Sequence, residues 1–168
     1  MIFETERLII RPLQTDDREA YYDMMSNPNV MNSIPREPMS RDMSDEHFEI
    51  HLKNGNSSDT KVWAIDSKNG DSFIGLAAYL KNDQNEDEIG YRLRELFWGI
   101  GYGTEIAKGL IEYGFNSLNI DLITADVYVE NIKSVKILDK FFTPIIEFYN
   151  PEDKCIDRRY KLTREEWL

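Results

Sequence analysis

Three alternating glycines, Gly99, Gly101 and Gly103, mark the segment of this sequence best suited to chemistry. They lie between a predicted strand and a predicted helix, so the neighbouring backbone amides would sit at the positive end of the helix dipole. Glycine lets such amides approach a bound anion closely. The spacing therefore predicts a phosphate cradle, although a tight strand-to-helix turn without a ligand explains the same glycines equally well.

Other phosphate-binding motifs fit this segment less well. A nicotinamide-binding turn would read Gly-x-Gly-x-x-Gly near the start of a repeated parallel unit, whereas a predicted meander precedes these glycines. A P-loop would end in Gly-Lys-Ser or Gly-Lys-Thr, and neither follows here. A nucleotide-binding redox domain is therefore the third-ranked interpretation.

The histidines and the cysteine offer weaker chemistry. His47 and His51 have the spacing of zinc ligands on a predicted helix, but Phe48 stands where a His-Glu-x-x-His protease needs glutamate. The sequence has only 2 histidines, so we expect a solvated helix face and no metal. Cys155 has no histidine near it in the sequence and is expected to be structural. A serine hydrolase would need a Gly-x-Ser-x-Gly elbow, which is absent.

Length and composition limit the class of protein. The chain has 168 residues, 41% of them hydrophobic, which predicts a single domain over residues 1–168. The net charge of -11 argues against nucleic acid or an anionic membrane as a partner and favours a cationic one, although acidity that serves only solubility explains the same charge. The lone cysteine and the lack of a signal peptide or a membrane-length apolar run predict a cytoplasmic location.

The elements around the glycines follow from hydrophobic periodicity. Strands are predicted over residues 7–13, 61–66, 72–80, 87–97, 122–129, 144–150 and 155–162. Helices are predicted over residues 20–25, 44–53, 103–118 and 131–142, with a loop over 27–41 and Pro28 ending the first helix. Short loops such as Asn69-Gly70 indicate antiparallel pairing, and the strand–helix–strand unit around the glycines adds one parallel pair. This predicts an α+β fold with a mixed, mostly antiparallel sheet flanked by helices.

Three stretches together resemble the GNAT superfamily of acetyltransferases, in the branch of the ribosomal-protein alanine N-acetyltransferases. The central one reads Glu88-Ile-Gly-Tyr, then Trp98-Gly-Ile-Gly-Tyr-Gly-Thr-Glu105, with Gly103 in place of the common alanine. The others are Thr5-Glu-Arg-Leu-Ile-Ile-Arg-Pro-Leu13 and Asn131-Ile-Lys-Ser134, the latter followed by Leu138 and Lys140. Their order along the chain makes the resemblance more specific than one glycine turn.

The resemblance implies acetyl-CoA as the acyl donor. It places the donor's pyrophosphate on the backbone amides of Gly99, Ile100, Gly101, Tyr102, Gly103 and Thr104. It also implies a splayed parallel strand pair, ending near Leu93 and Val129, that holds the pantetheine arm. The arm would pair with the backbone near Leu93, Arg94 and Glu95, completing hydrogen bonds that the splay leaves open.

The helix that begins near Asn131 carries a second set of implied roles. On the residues alone, Asn131 and Ser134 form a helix N-cap with a polar residue in the first turn. The resemblance adds that Asn131 bonds the pantetheine arm and that Ser134 lies beside the thioester sulfur. Leu138 occupies the position of a proton-donating tyrosine in many relatives, which favours Ser134 as donor to the leaving thiolate.

One departure concerns the end of this helix. The family usually reads Lys-x-Gly-Phe, whereas this chain reads Lys140-Phe-Phe-Thr143. Phenylalanine at a left-handed position would be strained, so we expect a different helix end and an altered entry to the next strand.

The proposed chemistry needs a base, because an alkylammonium must lose a proton before it can attack a thioester. Glu88 ranks slightly ahead of Glu147 for that role, and the alternative for each is a structural or solvated carboxylate. The sequence thus predicts an acetyl-CoA-dependent N-acetyltransferase working by direct attack in a ternary complex, with no metal. The acceptor would be a protein N-terminus or a polyamine or aminoglycoside-like amine, and a homodimer is compatible with this. The alternative is a non-catalytic CoA-binding sensor or interaction module.

Overall fold

One eight-stranded sheet runs through the chain in the order β1-β2-β3-β4-β5-β6-β8-β7. The computed structural model describes residues 1–57 and 59–168. The strands are β1 (Phe3–Glu4), β2 (Leu8–Pro12), β3 (Lys61–Ser67), β4 (Gly75–Lys81), β5 (Asp87–Leu93), β6 (Leu122–Tyr128), β7 (Thr143–Asn150) and β8 (Cys155–Thr163). The helices are α1 (Arg18–Met25), α2 (Pro28–Met31), α3 (Arg41–Asn54), α4 (Tyr102–Asn116), α5 (Ile132–Phe141) and α6 (Arg164–Trp167).

Strand pairing confirms the predicted α+β fold class. All neighbouring strands are antiparallel except β5 and β6, which are parallel and joined through α4. No helix among residues 1–57 and 59–168 is long and apolar enough to cross a membrane.

Two hydrophobic cores lie on opposite faces of the sheet, because side chains alternate along each strand. Ala77 and Tyr79 of β4 belong to the core that α4 and α5 cover. Leu76 belongs to the second core, which α1, α2 and α3 cover with residues such as Met24 and Phe48. Because of the same alternation, successive side chains of β5 face opposite helical layers.

The parallel pair opens after two residues. Its register contains only Asp87 opposite Ile123 and Glu88 opposite Thr124. The Thr124 hydroxyl donates a hydrogen bond of 2.9 Å to the Asp87 carbonyl at this closed end. Beyond it, β5 remains paired with β4 and β6 with β8, so a wedge opens between the two strands.

Several predicted boundaries are corrected by local backbone geometry. Pro28 does not end the first helix: α1 stops at Met25, and Pro28 begins α2, where its missing N–H has no helical partner to lose. β5 stops at Leu93, because Glu95–Phe97 forms a 3-10 turn. β4 starts only at Gly75, after Phe73 adopts a φ of 48° and donates its N–H to the Asp66 carboxylate.

The expected change at the end of α5 is confirmed. Phe142 is the C-cap residue and has an extended backbone, with φ of -115° and ψ of 162°. Its N–H still donates to the Leu138 carbonyl, and the chain enters β7 at Thr143 without a left-handed residue. The helix therefore passes directly into an edge strand, which avoids the strain that phenylalanine would meet in a glycine conformation.

Candidate active site

The wedge between β5 and β6 opens into a cleft of about 860 Å³. Its walls are residues from Glu88 to Arg92 on one strand and from Ala125 to Tyr128 on the other, and α5 closes one side with Asn131, Ser134 and Leu138. The N–H of Arg94, directly after β5, donates to the Ile74 carbonyl, directly before β4. Because backbone hydrogen bonds alternate in direction along a strand, the even-numbered residues of β5 bond to β4. The alternation turns the peptide groups of Tyr91 and the N–H of Leu93 toward the open wedge.

The predicted glycine cradle lies beyond the end of β5 and begins α4. Gly99 has φ of 79°, and Gly101, the N-cap of α4, has φ of 89°; both are backbone conformations that favour glycine. No side chain caps this helix, whereas Asn27, Ser40 and Asn131 cap α2, α3 and α5. The uncapped first-turn amides, which include those of Tyr102, Gly103 and Thr104, fit an anionic group.

Arg7 adds a cation to this cradle that the sequence reasoning did not assign a role. Its Nη1 donates to the Ile100 carbonyl at 2.8 Å, and its guanidinium lies 4.5 Å from the centroid of the Tyr102 ring. The Glu105 carboxylate accepts from the Arg7 N–H and from Nε at 2.8 and 2.7 Å and lies in the first turn of α4. Arg7 is the charged first residue of the first predicted strand, but it is so far from the glycines in sequence that no pattern connects it with them.

Gly103 has a packing role besides any contact with a ligand. A Cβ atom at this position would lie 2.9 Å from Cδ1 of Ile137 on α5. The glycine therefore allows the start of α4 to approach α5 closely. Ile100, by contrast, is 51% exposed at the turn.

Leu93, Arg94 and Glu95 lie at the mouth of the wedge and already have partners within the chain. The Leu93 carbonyl accepts from Trp98 Nε1 at 2.9 Å. The Arg94 guanidinium pairs with Asp23 at 3.0 Å. The Glu95 carboxylate accepts from the side chains of Asn27 and Asn29, at 3.0 and 2.8 Å. These contacts attach the segment to α1 and α2 and leave the Leu93 N–H as the backbone donor on the open side.

Asn131 and Ser134 face the cleft from the first turn of α5. The Asn131 Oδ1 accepts from the Ser134 N–H at 3.4 Å, which makes Asn131 the N-cap of the helix. Because the cap uses the amide oxygen, Nδ2 is the group that can donate to a ligand. The half-buried Ser134 hydroxyl can donate from the same turn.

Glu88 lies at the closed end of the wedge, and the acidity of its carboxyl group is strongly altered there. Burial raises its pKa to about 7, and the carboxylates of Asp126 and Asp157 add to this rise. The Arg159 guanidinium and a hydrogen bond from the Asp126 N–H oppose it. The carboxyl group of Glu88 can therefore exchange a proton near neutral pH.

The structure does not bring Glu147 to the same place. It lies on the edge strand β7, outside the cleft, and forms an ion pair of 3.1 Å with Arg158. Its side chain is 53% exposed. Position therefore separates the two carboxylates that sequence reasoning ranked nearly equal.

Two other residues in the cleft were assigned from sequence. Cys155 is buried and donates from Sγ to the Asp157 carboxylate at 3.3 Å; burial first, and then Asp157, raise the pKa of its thiol to about 11. Such a thiol is a poor nucleophile.

The prediction of a solvated face is wrong for His51, which is half-buried and lies 6.1 Å from the Tyr21 ring. Within residues 1–57 and 59–168, no group of three or more His, Cys, Asp or Glu residues could hold a metal ion.

Comparison with known proteins identifies this arrangement. The model of the acetyltransferase (GNAT) domain family matches residues 7–141. An uncharacterized N-acetyltransferase, p20, of Bacillus licheniformis is 34% identical over 139 residues, which cover 80% of this chain and 78% of that protein.

Solved structures share the fold. A GNAT-family acetyltransferase from Bacillus anthracis has a TM-score of 0.84 at 22% identity, covering 97% of this chain and 98% of that chain. The spermidine N-acetyltransferase of Vibrio cholerae, solved with CoA and spermine, has a TM-score of 0.78 at 20% identity, covering 95% and 97%. The family match over most of the chain, together with the splayed strand pair and the glycine turn, establishes that this protein belongs to the GNAT family of N-acetyltransferases.

Proposed function

We propose that this protein transfers an acetyl group from acetyl-CoA to a primary amine by direct attack in the cleft between β5 and β6. The observation that carries the proposal is the position of Glu88, at the closed end of the wedge, with a pKa of about 7. A carboxylate of that acidity accepts a proton from an ammonium group more readily than an ordinary glutamate does. Bound acetyl-CoA would supply the activated thioester.

The donor is proposed to bind along the wedge and the glycine cradle. The amides from Gly99 to Thr104, with the Arg7 guanidinium beside them, suit its pyrophosphate. The open-edge peptide groups of Tyr91 and Leu93 suit the amides of the pantetheine arm, which would pair with them as an added strand. Arg94 and Glu95 would lie beside this arm. Their side chains hold the segment after β5 against α1 and α2.

The two proton transfers are assigned to residues on opposite walls. Glu88 would take the proton from the acceptor ammonium, directly or through water. Ser134, in the first turn of α5, would donate a hydrogen bond or proton to the departing sulfur, and Asn131 Nδ2 would hold the pantetheine arm. The proposed acceptors are protein N-termini and small amines of the polyamine or aminoglycoside type.

Thermal shift followed by thiol release tests the proposal. Acetyl-CoA and CoA are expected to raise the unfolding midpoint of the protein, and NAD is not. With acetyl-CoA, a panel of peptide N-termini, polyamines and aminoglycosides is then screened for release of free thiol, with amine-free reactions as the hydrolysis control. Stabilisation by NAD alone would contradict the donor assignment. Stabilisation by acetyl-CoA with no amine-dependent thiol release would contradict the catalytic assignment.

A further inference from the structure

Arg92 differs from every other arginine of the chain. Each of the others forms an ion pair with an aspartate or glutamate. Within residues 1–57 and 59–168, no carboxylate pairs with Arg92, and its guanidinium contacts the Met25 sulfur at 3.0 Å instead. Arg92 lines the cleft near the open end of β5.

The surroundings of Arg92 supply hydrogen-bond donors. The Tyr21 side chain is 0% exposed, and its hydroxyl has no hydrogen-bond partner among the described residues. The pKa of His51 is lowered by burial, then by His47 and the Arg92 charge, which favours the neutral ring; a neutral imidazole can donate one N–H. Tyr21, His51 and Arg92, here called the Arg92 cluster, all line the cleft.

The acid whose charge acts on Arg92 does not neutralise this cluster. Asp153 acts on the Arg92 charge, but its carboxylate is held by Nε and Nη2 of Arg36 at 2.8 and 3.2 Å. Burial, and then the Arg36 charge, lower the pKa of Arg92 to about 10. Holding a guanidinium away from water without a counter-ion is unfavourable, so a bound anion would stabilise the cluster.

Arg92 shares a face of β5 with the proposed base. Glu88 and Arg92 are four residues apart in the strand, a Cα separation of roughly 13 Å. Gly90 lies between them, opposite Ala78 of β4, and a Cβ at Gly90 would meet nothing within 4 Å. The sheet surface between the base and the guanidinium is therefore open to a ligand.

We propose that the acceptor is an amine that also carries an anionic group, a carboxylate or a phosphate, which binds the Arg92 cluster while the amine lies at Glu88. This inference rests on the proposed transfer to a primary amine, and within that class it favours an anionic amine over the polyamine and aminoglycoside types. The spacing requires several bonds between the two groups, as in an ω-amino carboxylate. An α-amino acid holds its amine and carboxylate too close together to reach both residues.

Matched amines measure the selectivity directly. Four acceptors of similar length are compared by acetyl-CoA-dependent thiol release: 6-aminohexanoate, 5-aminopentyl phosphate, hexylamine and 1,5-diaminopentane. We expect KM for at least one of the two anionic amines to be at least tenfold lower than for the others, and the better of the two identifies the anion. Equal KM values, or preference for the diamine, would overturn the inference.

Variants assign the selectivity to the cluster. Arg92→Met should remove the tenfold advantage of the anionic amine and leave acetyl-CoA affinity within about threefold. Arg18→Met is the control, because Arg18 lies over the Phe48 ring and pairs with Glu49 and Asp45 away from the cleft. Tyr21→Phe, which removes only a hydroxyl, should raise the same KM by about threefold or more. Retained selectivity in Arg92→Met would overturn the inference.

Two measurements do not depend on turnover. The product 6-acetamidohexanoate should bind the wild type in calorimetry and bind Arg92→Met at least tenfold more weakly; equal binding would refute the site. If no amine releases thiol but this difference is seen, the proposed function fails and the anion site stands. Arg92→Met should also raise the unfolding midpoint of the ligand-free protein, because it removes an unpaired charge. A lower midpoint would show a structural role instead.

Discussion

The glycine cradle and the Arg92 cluster are both suited to anions, but they are built differently. The cradle is one continuous segment, Gly99 to Thr104, and uses backbone amides at an uncapped helix end. The cluster draws Tyr21, His51 and Arg92 from α1, α3 and β5 and uses side chains. A backbone site tolerates many side chains but depends on glycine conformation, whereas a side-chain site depends on the identity of each residue.

The two regions also differ in how they treat charge. At the cradle, Arg7 is paired with Glu105, so the backbone amides provide the larger part of the attraction for an anion. In the cluster, the guanidinium has no carboxylate partner among the described residues. Anion binding at the cradle should therefore be sensitive to changes of the backbone, and anion binding at the Arg92 cluster to changes of single functional groups.

The largest effect is expected from Gly101→Asp. The side chain would add strain at φ of 89° and place a negative charge where the pyrophosphate is proposed to bind. We expect CoA affinity in calorimetry to fall at least 100-fold. Gly70→Asp is the matched control, because Gly70 has φ of 101°, open space around it and a place in the turn between β3 and β4. Unchanged CoA affinity in Gly101→Asp would remove the cradle from the account.

The next effect concerns Glu88→Gln, which removes the proposed base from the acceptor side. We expect kcat to fall about 100-fold, in the range typical of general bases, with acetyl-CoA affinity preserved. Glu147→Gln, outside the cleft, should keep wild-type kcat. In the wild type, kcat/KM for the amine should fall as pH drops through about 7, because Glu88 becomes protonated. A kcat in Glu88→Gln within threefold of wild type would exclude Glu88 as the base.

The same residue predicts a stability effect with a defined sign. The folded pKa of Glu88, about 7, exceeds its ordinary value of 4.5, so between these values the folded state binds more protons than the unfolded state. This contribution therefore makes the protein less stable as pH rises from 4.5 to 7. Glu88→Gln should raise the free energy of unfolding at pH 8 by about 1 to 3 kcal/mol and change it little at pH 4. Chemical denaturation at both pH values measures this, and a loss of stability at pH 8 would contradict it.

A smaller effect is expected from Ser134→Ala, on the opposite wall. Loss of the proposed hydrogen-bond donor to the leaving sulfur should lower kcat about tenfold, with acetyl-CoA binding within threefold of wild type. The Asn131 cap uses the Ser134 N–H, not its hydroxyl, so the helix should be retained. Steady-state kinetics with calorimetry separate the two quantities. Wild-type kcat in the variant would exclude Ser134 from the mechanism.

The smallest effect is expected from Arg7→Met. Because backbone amides carry most of the attraction, CoA affinity should weaken only about threefold to fivefold, with a shallower dependence on salt. Calorimetry at low and high ionic strength measures both. A loss of CoA affinity as large as that expected for Gly101→Asp would show that the cradle depends on a side chain. It would contradict the description of the cradle as a backbone site.

The contrast between the regions explains how far sequence reasoning could reach. The cradle and the N-cap at Asn131 follow from local patterns, because residues close in sequence form them. The parallel pair follows from the strand–helix–strand order. The Arg92 cluster joins residues from three separate elements, and no local pattern predicts that Tyr21 and Arg92 approach each other. Burial also distinguishes Glu88 from Glu147, which the sequence ranks nearly equal as candidate bases.

Net charge was the least informative property for the acceptor. The value of -11 favours a cationic partner, yet most arginines near the cleft are already paired with acids. A ligand in the cleft is exposed to the local electric field of two groups that form no ion pair among the described residues. They are Glu88 at one end of the cleft and Arg92 at the other. Global composition averages over such differences.

A bisubstrate analogue tests most directly the claim that the two regions serve one reaction. The analogue joins the sulfur of CoA through a CH2–CO bridge to the nitrogen of 6-aminohexanoate, and its affinity is measured by calorimetry beside that of CoA. We predict that it binds the wild type at least 100-fold more tightly than CoA does, and that Arg92→Met loses at least tenfold of this gain while CoA affinity is kept. An analogue that binds no more tightly than CoA would contradict the account.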